Sequence, residues 1–144
     1  EACTIATALK AAETGHLVLA TLHSPNVALA LERIVGVFEG SAQRQIVLQL
    51  ANALQGIIAQ ELLPAVDRSR RVLGYELLVA NSAIRNLIRE NNLHHLENCL
   101  QTGARDGMVL MDACLHDLYS RCQISYDTAL SHARNPDRFA KRAG

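Results

Sequence analysis

His16-Leu17-Val18-Leu19-Ala20-Thr21-Leu22-His23 is the stretch on which the fold turns. Its interior is apolar without alternation, the pattern of a strand covered on both faces, as in a parallel sheet. Such a strand needs neighbours, so the pattern predicts an α/β layer around it. On the amino-terminal side Ile5, Ala8, Leu9 and Ala12 share one helical face, and Thr14-Gly15 supplies a stop tolerant of positive φ. Glu1 then falls in mid-element, as it would in a fragment. On the carboxyl-terminal side Ser24-Pro25 reads as an N-cap followed by a first-turn proline. The helix it opens carries Val27, Leu31, Ile34 and Val35 toward Phe38, and Glu39-Gly40 ends it.

Further along, a helix opening near Ser41 is marked by the apolar stripe Ile46, Val47, Leu50, Leu54, Ile57 and Ile58. Residues 61–66 and 72–79 read as a hairpin around the charged Asp67–Arg71 turn, with Pro64 marking an edge. From Asn81 onward the spacing is helical throughout. Ile84, Leu87 and Ile88 line one helix, Leu93, Leu96 and Leu100 a second, and Met108, Met111, Leu115 and Leu118 a third after the breaks at Thr102-Gly103 and Gly107. Ser125 caps a last helix through Leu130, interrupted at Asn135-Pro136. The pattern is therefore a partial α/β layer over residues 1–79 and a small helical bundle over residues 80–144.

Composition narrows the function classes. The 144 residues carry 14 basic and 14 acidic side chains, and a net charge of zero argues against nucleic acid or an anionic membrane as the main partner. Aromatic residues make up 3% with no Trp, too few for base-stacking platforms. Apolar runs stop short of the ~20 residues that span a bilayer, which predicts a cytosolic chain that is not membrane-spanning. Cys3, Cys99, Cys114 and Cys122 lack any Cys-x-x-Cys pairing and read as reduced thiols. A metal site assembled from His95, Cys99, Cys114 and His116 would lack the tight ligand pairs of structural zinc, so no metal site is expected.

Local motifs for chemistry are sparse. The chain has no Gly-x-x-x-x-Gly-Lys loop, its only lysines being Lys10 and Lys141, and no nucleophile elbow, His-Glu-x-x-His helix or dinucleotide fingerprint. His16 and His23 are the most informative pair. Seven strand residues span roughly 23 Å, so they sit at opposite ends and share neither a metal nor a dyad. His23 is the better candidate, because ligands on open α/β sheets bind at the carboxyl ends of strands.

Residues 11–23, ending in this histidine pair, resemble the histidine box of the secretion ATPase superfamily. Ala83-Ile84-Arg85-Asn86-Leu87-Ile88-Arg89-Glu90 is similar to a motif of type IV pilus retraction ATPases, the PilT family, and residues 49–64, Met111-Asp112 and residues 135–139 extend the resemblance over nearly the whole chain. The resemblance implies the C-terminal part of a RecA-like ATPase domain followed by a small helical bundle. It implies a homo-hexameric motor that uses ATP and Mg to power pilus retraction and twitching motility. Such a motor works against an inner-membrane pilus platform protein, as a peripheral protein of the cytoplasmic face.

In that family the phosphate-binding loop and the catalytic glutamate precede the histidine box, so this chain alone is expected to be inactive. His23 inherits a place near the γ-phosphate, where an imidazole donates a hydrogen bond without the permanent charge of Arg, and His16 a place arranging acidic groups. Ala83 to Glu90 inherits a coupling role. Read from its residues alone, that helix buries Ile84, Leu87 and Ile88 and turns Arg85, Asn86, Arg89 and Glu90 outward as a solvated face; the resemblance implies that an outward Arg85 or Arg89 meets a partner. The alternatives are a pilus extension or type II secretion ATPase, disfavoured by the absence of a four-cysteine loop near the hairpin, and a non-catalytic helical interaction module.

Overall fold

The computed structural model describes residues 1–143. Helix α1 (Ala2–Glu13) ends at Thr14, and Gly15 takes a left-handed φ of 94°, as the Thr14-Gly15 stop requires. Helices α2 (Val27–Gly36) and α3 (Gly40–Ala53) follow, then the strands β1 (Gly56–Pro64) and β2 (Arg71–Val79). The second half is helical: α4 (Ser82–Arg89), α5 (Leu96–Thr102), α6 (Met111–Ser120), α7 (Tyr126–His132) and α8 (Pro136–Ala143), with short 3-10 turns on either side of α5.

The hairpin forms around the expected turn, but its first strand runs Gly56–Pro64 rather than over residues 61–66, with Gly56 opposite Val79 and Pro64 opposite Arg71. Pro64 sits at the strand end, where a missing N–H costs no ladder bond. At the tip Asp67 accepts from the Ser69 N–H at 3.1 Å and from its hydroxyl at 2.7 Å, bonds that hold the Asp67 carboxyl below the usual carboxylate range. The other edge of β2 is closed by an antiparallel bridge, Leu77 N–H to Val109 C=O at 2.8 Å and the reverse bond at 2.9 Å.

Two expectations fail, the first at the start of β1. The apolar stripe of α3 stops at Ala53, Leu54 takes an extended ψ of 131°, and Ile57 and Ile58 belong to the strand. A continuous apolar run fits a helix face and a buried strand equally, so periodicity alone overran the boundary. Gly56 sets it: a Cβ there would sit 2.9 Å from the Leu78 carbonyl, a close approach that only glycine permits.

The second failure is at residues 16–23. These residues are not in a strand; among the described residues the sheet is two-stranded and antiparallel, not parallel. A strand exists only as a member of a ladder, and here no neighbour pairs with it. Leu17 and Leu19 are consequently 82% and 88% exposed. Two smaller corrections follow. Asn26, not Ser24, caps α2, its side chain accepting from the Leu29 N–H at 2.7 Å. Met108 precedes α6, because Val109 is spent on the bridge to β2.

Two apolar clusters hold the elements together. One gathers Leu31, Leu50, Leu78, Ile84, Ile88 and Leu96, drawing on residues on both sides of Val79. The other packs Leu63 of the hairpin with Met111, Leu115, Leu118, Ile124 and Phe139. Ser125 caps α7 by accepting from the Thr128 N–H at 3.1 Å, as its place in the sequence predicts. The four cysteines are free thiols, and burial pushes the Cys114 thiol up from its ordinary value.

The exposed stretch carries a testable consequence. Leu17, Leu19 and Ile58, exposed around a shared groove, should drive the isolated chain to self-associate. Replacing Leu17 and Leu19 by lysine should raise the monomer fraction seen by light scattering while shifting stability by no more than about 0.5 kcal/mol. A wild-type chain that is a monodisperse monomer at micromolar concentration would overturn this.

Candidate functional site

His23 stands where the extended stretch meets α2. Its side chain is exposed and makes no hydrogen bond among the described residues. Its backbone, by contrast, is fixed: Arg33 of α2 donates to the His23 carbonyl at 3.0 Å while the same guanidinium pairs with Glu1 at 2.9 Å. Arg134 donates to the Pro25 carbonyl at 2.7 Å. The Val27 N–H, one of the unpaired donors of a helix start, donates to Glu76 at 3.0 Å. Residues 23–27 are thus tied at three points while the imidazole is left unspent.

His16 lies at the far end of the stretch and is also exposed. Its Nδ1 lies 3.2 Å from the Thr14 hydroxyl and 3.3 Å from the Ala11 carbonyl, folded back on the end of α1. Among the described residues no hydrogen bond joins the two histidines.

Glu76 is the residue that sequence reasoning missed. It is 3% exposed on β2, accepts from Val27 with one oxygen and lies 3.4 Å from the Arg134 guanidinium with the other. Arg134 is in turn seated on Asp112, which accepts from the N–H groups of Arg134 at 2.7 Å and Asn135 at 3.1 Å. Beside this group opens a cavity of about 420 Å³, lined by Asn26, Glu76, Met108, Met111, Asp112 and Arg134 among others. The signal was legible: Val72, Gly74, Glu76 and Leu78 share the inward face of β2, and a carboxylate on an inward phase must find partners. Among the described residues no group of three or more His, Cys, Asp or Glu side chains could hold a metal ion.

Helix α4 departs from expectation at Arg85. Ile84 and Ile88 are buried and Leu87 is half-buried, as the stripe requires. Arg85, however, does not turn outward. Its guanidinium donates to the carbonyls of Ala51 and Asn52, both at 2.7 Å, and so caps the carboxyl end of α3. Those carbonyls are the orphan acceptors of a helix end, and a cation there also meets the negative pole of the helix. Arg89 is exposed yet engaged, reaching the side chains of Asn52 at 3.0 Å and Asn86 at 2.8 Å. Ala83, Asn86, Arg89 and Glu90 make up the exposed part of the motif.

Comparison with known proteins matches residues 1–130 to the family model described as type II/IV secretion system protein. The chain is 42% identical over 134 residues to a twitching motility protein of Neisseria gonorrhoeae, covering 93% of this chain and 36% of that protein. It is 38% identical over 136 residues to the type IV pilus retraction ATPase PilT of Pseudomonas aeruginosa, covering 94% of this chain and 39% of that one. Its fold superposes on the crystal structure of the pilus retraction motor PilT with bound ADP at a TM-score of 0.84 and 41% identity, over 96% of this chain and 38% of that one. The chain thus spans little more than a third of the length of the relatives it matches.

The capping role of Arg85 changes what its truncation should do. Arg85→Ala should cost about 1–2 kcal/mol through the lost charged hydrogen bonds, whereas Arg89→Ala, at the exposed rim, should cost about 0.5 kcal/mol or less. Ile84→Ala, which empties a fully buried site, should cost about 2–5 kcal/mol. Urea unfolding of the three variants checks the order; an Arg85→Ala midpoint equal to that of Arg89→Ala would remove the cap from the account.

Proposed function

The chain belongs to the type II/IV secretion system protein family, and on that premise we propose that it is the phosphate-facing and coupling portion of an ATP-hydrolysing motor that retracts type IV pili in twitching motility. The observation that carries this reading is His23: an exposed imidazole without a hydrogen bond of its own, on a backbone tied at three points. A side chain held ready but unspent fits one phosphate oxygen, to which a ring N–H donates. The names of the gonococcal and Pseudomonas relatives supply the output, and the bound ADP of the similar motor supplies the nucleotide class.

The loop that would cradle a triphosphate is not among these 144 residues, and the chain's acidic side chains do not converge on a metal position among the described residues. ATP and Mg would therefore be held chiefly by other parts of the motor, with the hydrolysis of ATP providing the free energy for movement. His23 contributes orientation of the terminal phosphate. His16, with its Nε2 free of the contacts that engage Nδ1, faces acidic groups supplied by those other parts. The exposed side of Ala83 to Glu90 passes the nucleotide state outward, with Arg89 and Glu90 the groups that meet the pilus platform protein. A homo-hexamer working at the cytoplasmic face of the inner membrane completes the reading. Among the described residues no helix is long and apolar enough to cross a membrane.

In the complete motor, His23→Ala should lower kcat for ATP hydrolysis by roughly ten- to hundredfold while leaving the KM for ATP near its original value, the signature of an interaction made with the transferring phosphate. Steady-state ATPase assays paired with twitching assays check this. Normal turnover and normal twitching in that variant would return His23 to a surface residue.

A further inference from the structure

The His23 loop receives bonds from two side chains that are remote in sequence and adjacent in space. Glu76 comes from the middle of β2 and accepts from the Val27 N–H at 3.0 Å. Arg134 comes from the link between α7 and α8, 109 positions beyond the Pro25 carbonyl to which it donates at 2.7 Å. The two meet at 3.4 Å. Glu76 is almost fully buried and the Arg134 side chain is 31% exposed, so the pair is shielded from solvent more than an ordinary surface contact. Asp112 at the start of α6 anchors the Arg134 and Asn135 backbone, which fixes where the guanidinium begins.

We propose that the Glu76–Arg134 pair, seated on Asp112, is a positioning latch for His23. The proposal rests on the phosphate-facing role of His23 given above. Each half holds a different point of the same short loop: Glu76 fixes the first turn of α2, and Arg134 fixes the residue two positions before it. Arg33 completes the frame from within α2 by holding the His23 carbonyl itself. With both ends of residues 23–27 tied, the Cα–Cβ bond of His23 has one direction, and the imidazole reaches its phosphate without ordering a loop first.

The latch also gives the helical bundle a handle on the site. A movement of α6 relative to α2 shifts Asp112, carries Arg134 with it and draws on the Pro25 carbonyl. The same bonds work in reverse, so a displacement of the His23 loop is felt at the α7–α8 link. Arg134 touches neither nucleotide nor reacting atoms in this account, and its effect runs through His23.

The test is a double-mutant cycle in the complete motor, read by ATPase kinetics. Arg134→Ala should lower kcat by roughly tenfold, a loss typical of a misplaced group, with the KM for ATP changed by about twofold or less. Arg134→Lys keeps a cation opposite Glu76 but lacks the planar fork that serves Glu76 and Pro25 together, and should recover part of kcat. Added to His23→Ala, the Arg134→Ala change should have no further effect. Amide exchange of residues 23–27 should quicken in Arg134→Ala alone.

Independent, additive losses from Arg134→Ala and His23→Ala would overturn the latch, as would a normal kcat in Arg134→Ala while His23→Ala remains slow; either leaves the His23 role standing. A normal kcat in His23→Ala would instead overturn the His23 role, and the latch with it. If Arg134→Ala does not assemble, the Arg134→Lys variant decides by the same measures: a full wild-type kcat with unchanged exchange at residues 23–27 overturns the latch.

Discussion

A carboxylate with almost no contact with water has to be answered on all sides, and Glu76 organises this fold by being so answered. Its partners are not local. They are the opening N–H of α2 and a guanidinium from the far end of the chain, so satisfying one side chain brings β2, α2 and the α7–α8 link to a common point. Removing Arg134 would leave the buried carboxylate short of a partner, and removing Glu76 would leave a helix donor unpaired. The arrangement therefore ties the helical half to the hairpin by polar bonds as well as by apolar packing.

Around that point the two apolar clusters supply the bulk of the cohesion. The hairpin belongs to both, through Leu78 to the first and Leu63 to the second. Helix ends are answered by side chains in the same spirit: Asn26 and Asn81 at the starts of α2 and α4, Ser125 at the start of α7, and Arg85 at the close of α3. The Ala83–Glu90 segment thus has two distinct faces. Its isoleucines and Arg85 are committed to the interior of this chain, and its remaining polar residues are what another protein could meet.

Much of this was legible in the sequence, wherever a local rule settled the matter. The hairpin was marked by its charged turn and Pro64, α7 by Ser125, the close of α1 by Thr14-Gly15, and α4 by its isoleucine spacing. The family resemblance came chiefly from residues 11–23 and 83–90, with residues 49–64, 111–112 and 135–139 in support. What escaped were features decided by distant partners. Ile57 and Ile58 read as helix because nothing near them announces that Gly56 must press against the Leu78 carbonyl. Residues 16–23 read as a strand because their pattern asks for a sheet, and a pattern cannot state whether the ladder is filled. Arg85 read as outward because its acceptors lie more than thirty positions away. Glu76 and Arg134 are separated widely enough that no window of sequence joins them.

The bond between Arg134 and the Pro25 carbonyl closes a loop of 109 positions, and it therefore also sets an order in time. The segment bearing His23 is made before Arg134, and its final shape waits for that residue. Contacts of such high sequence separation form late, since the entropy of closing the loop must be met before they contribute. A nascent or truncated chain would thus carry the histidine without its aim.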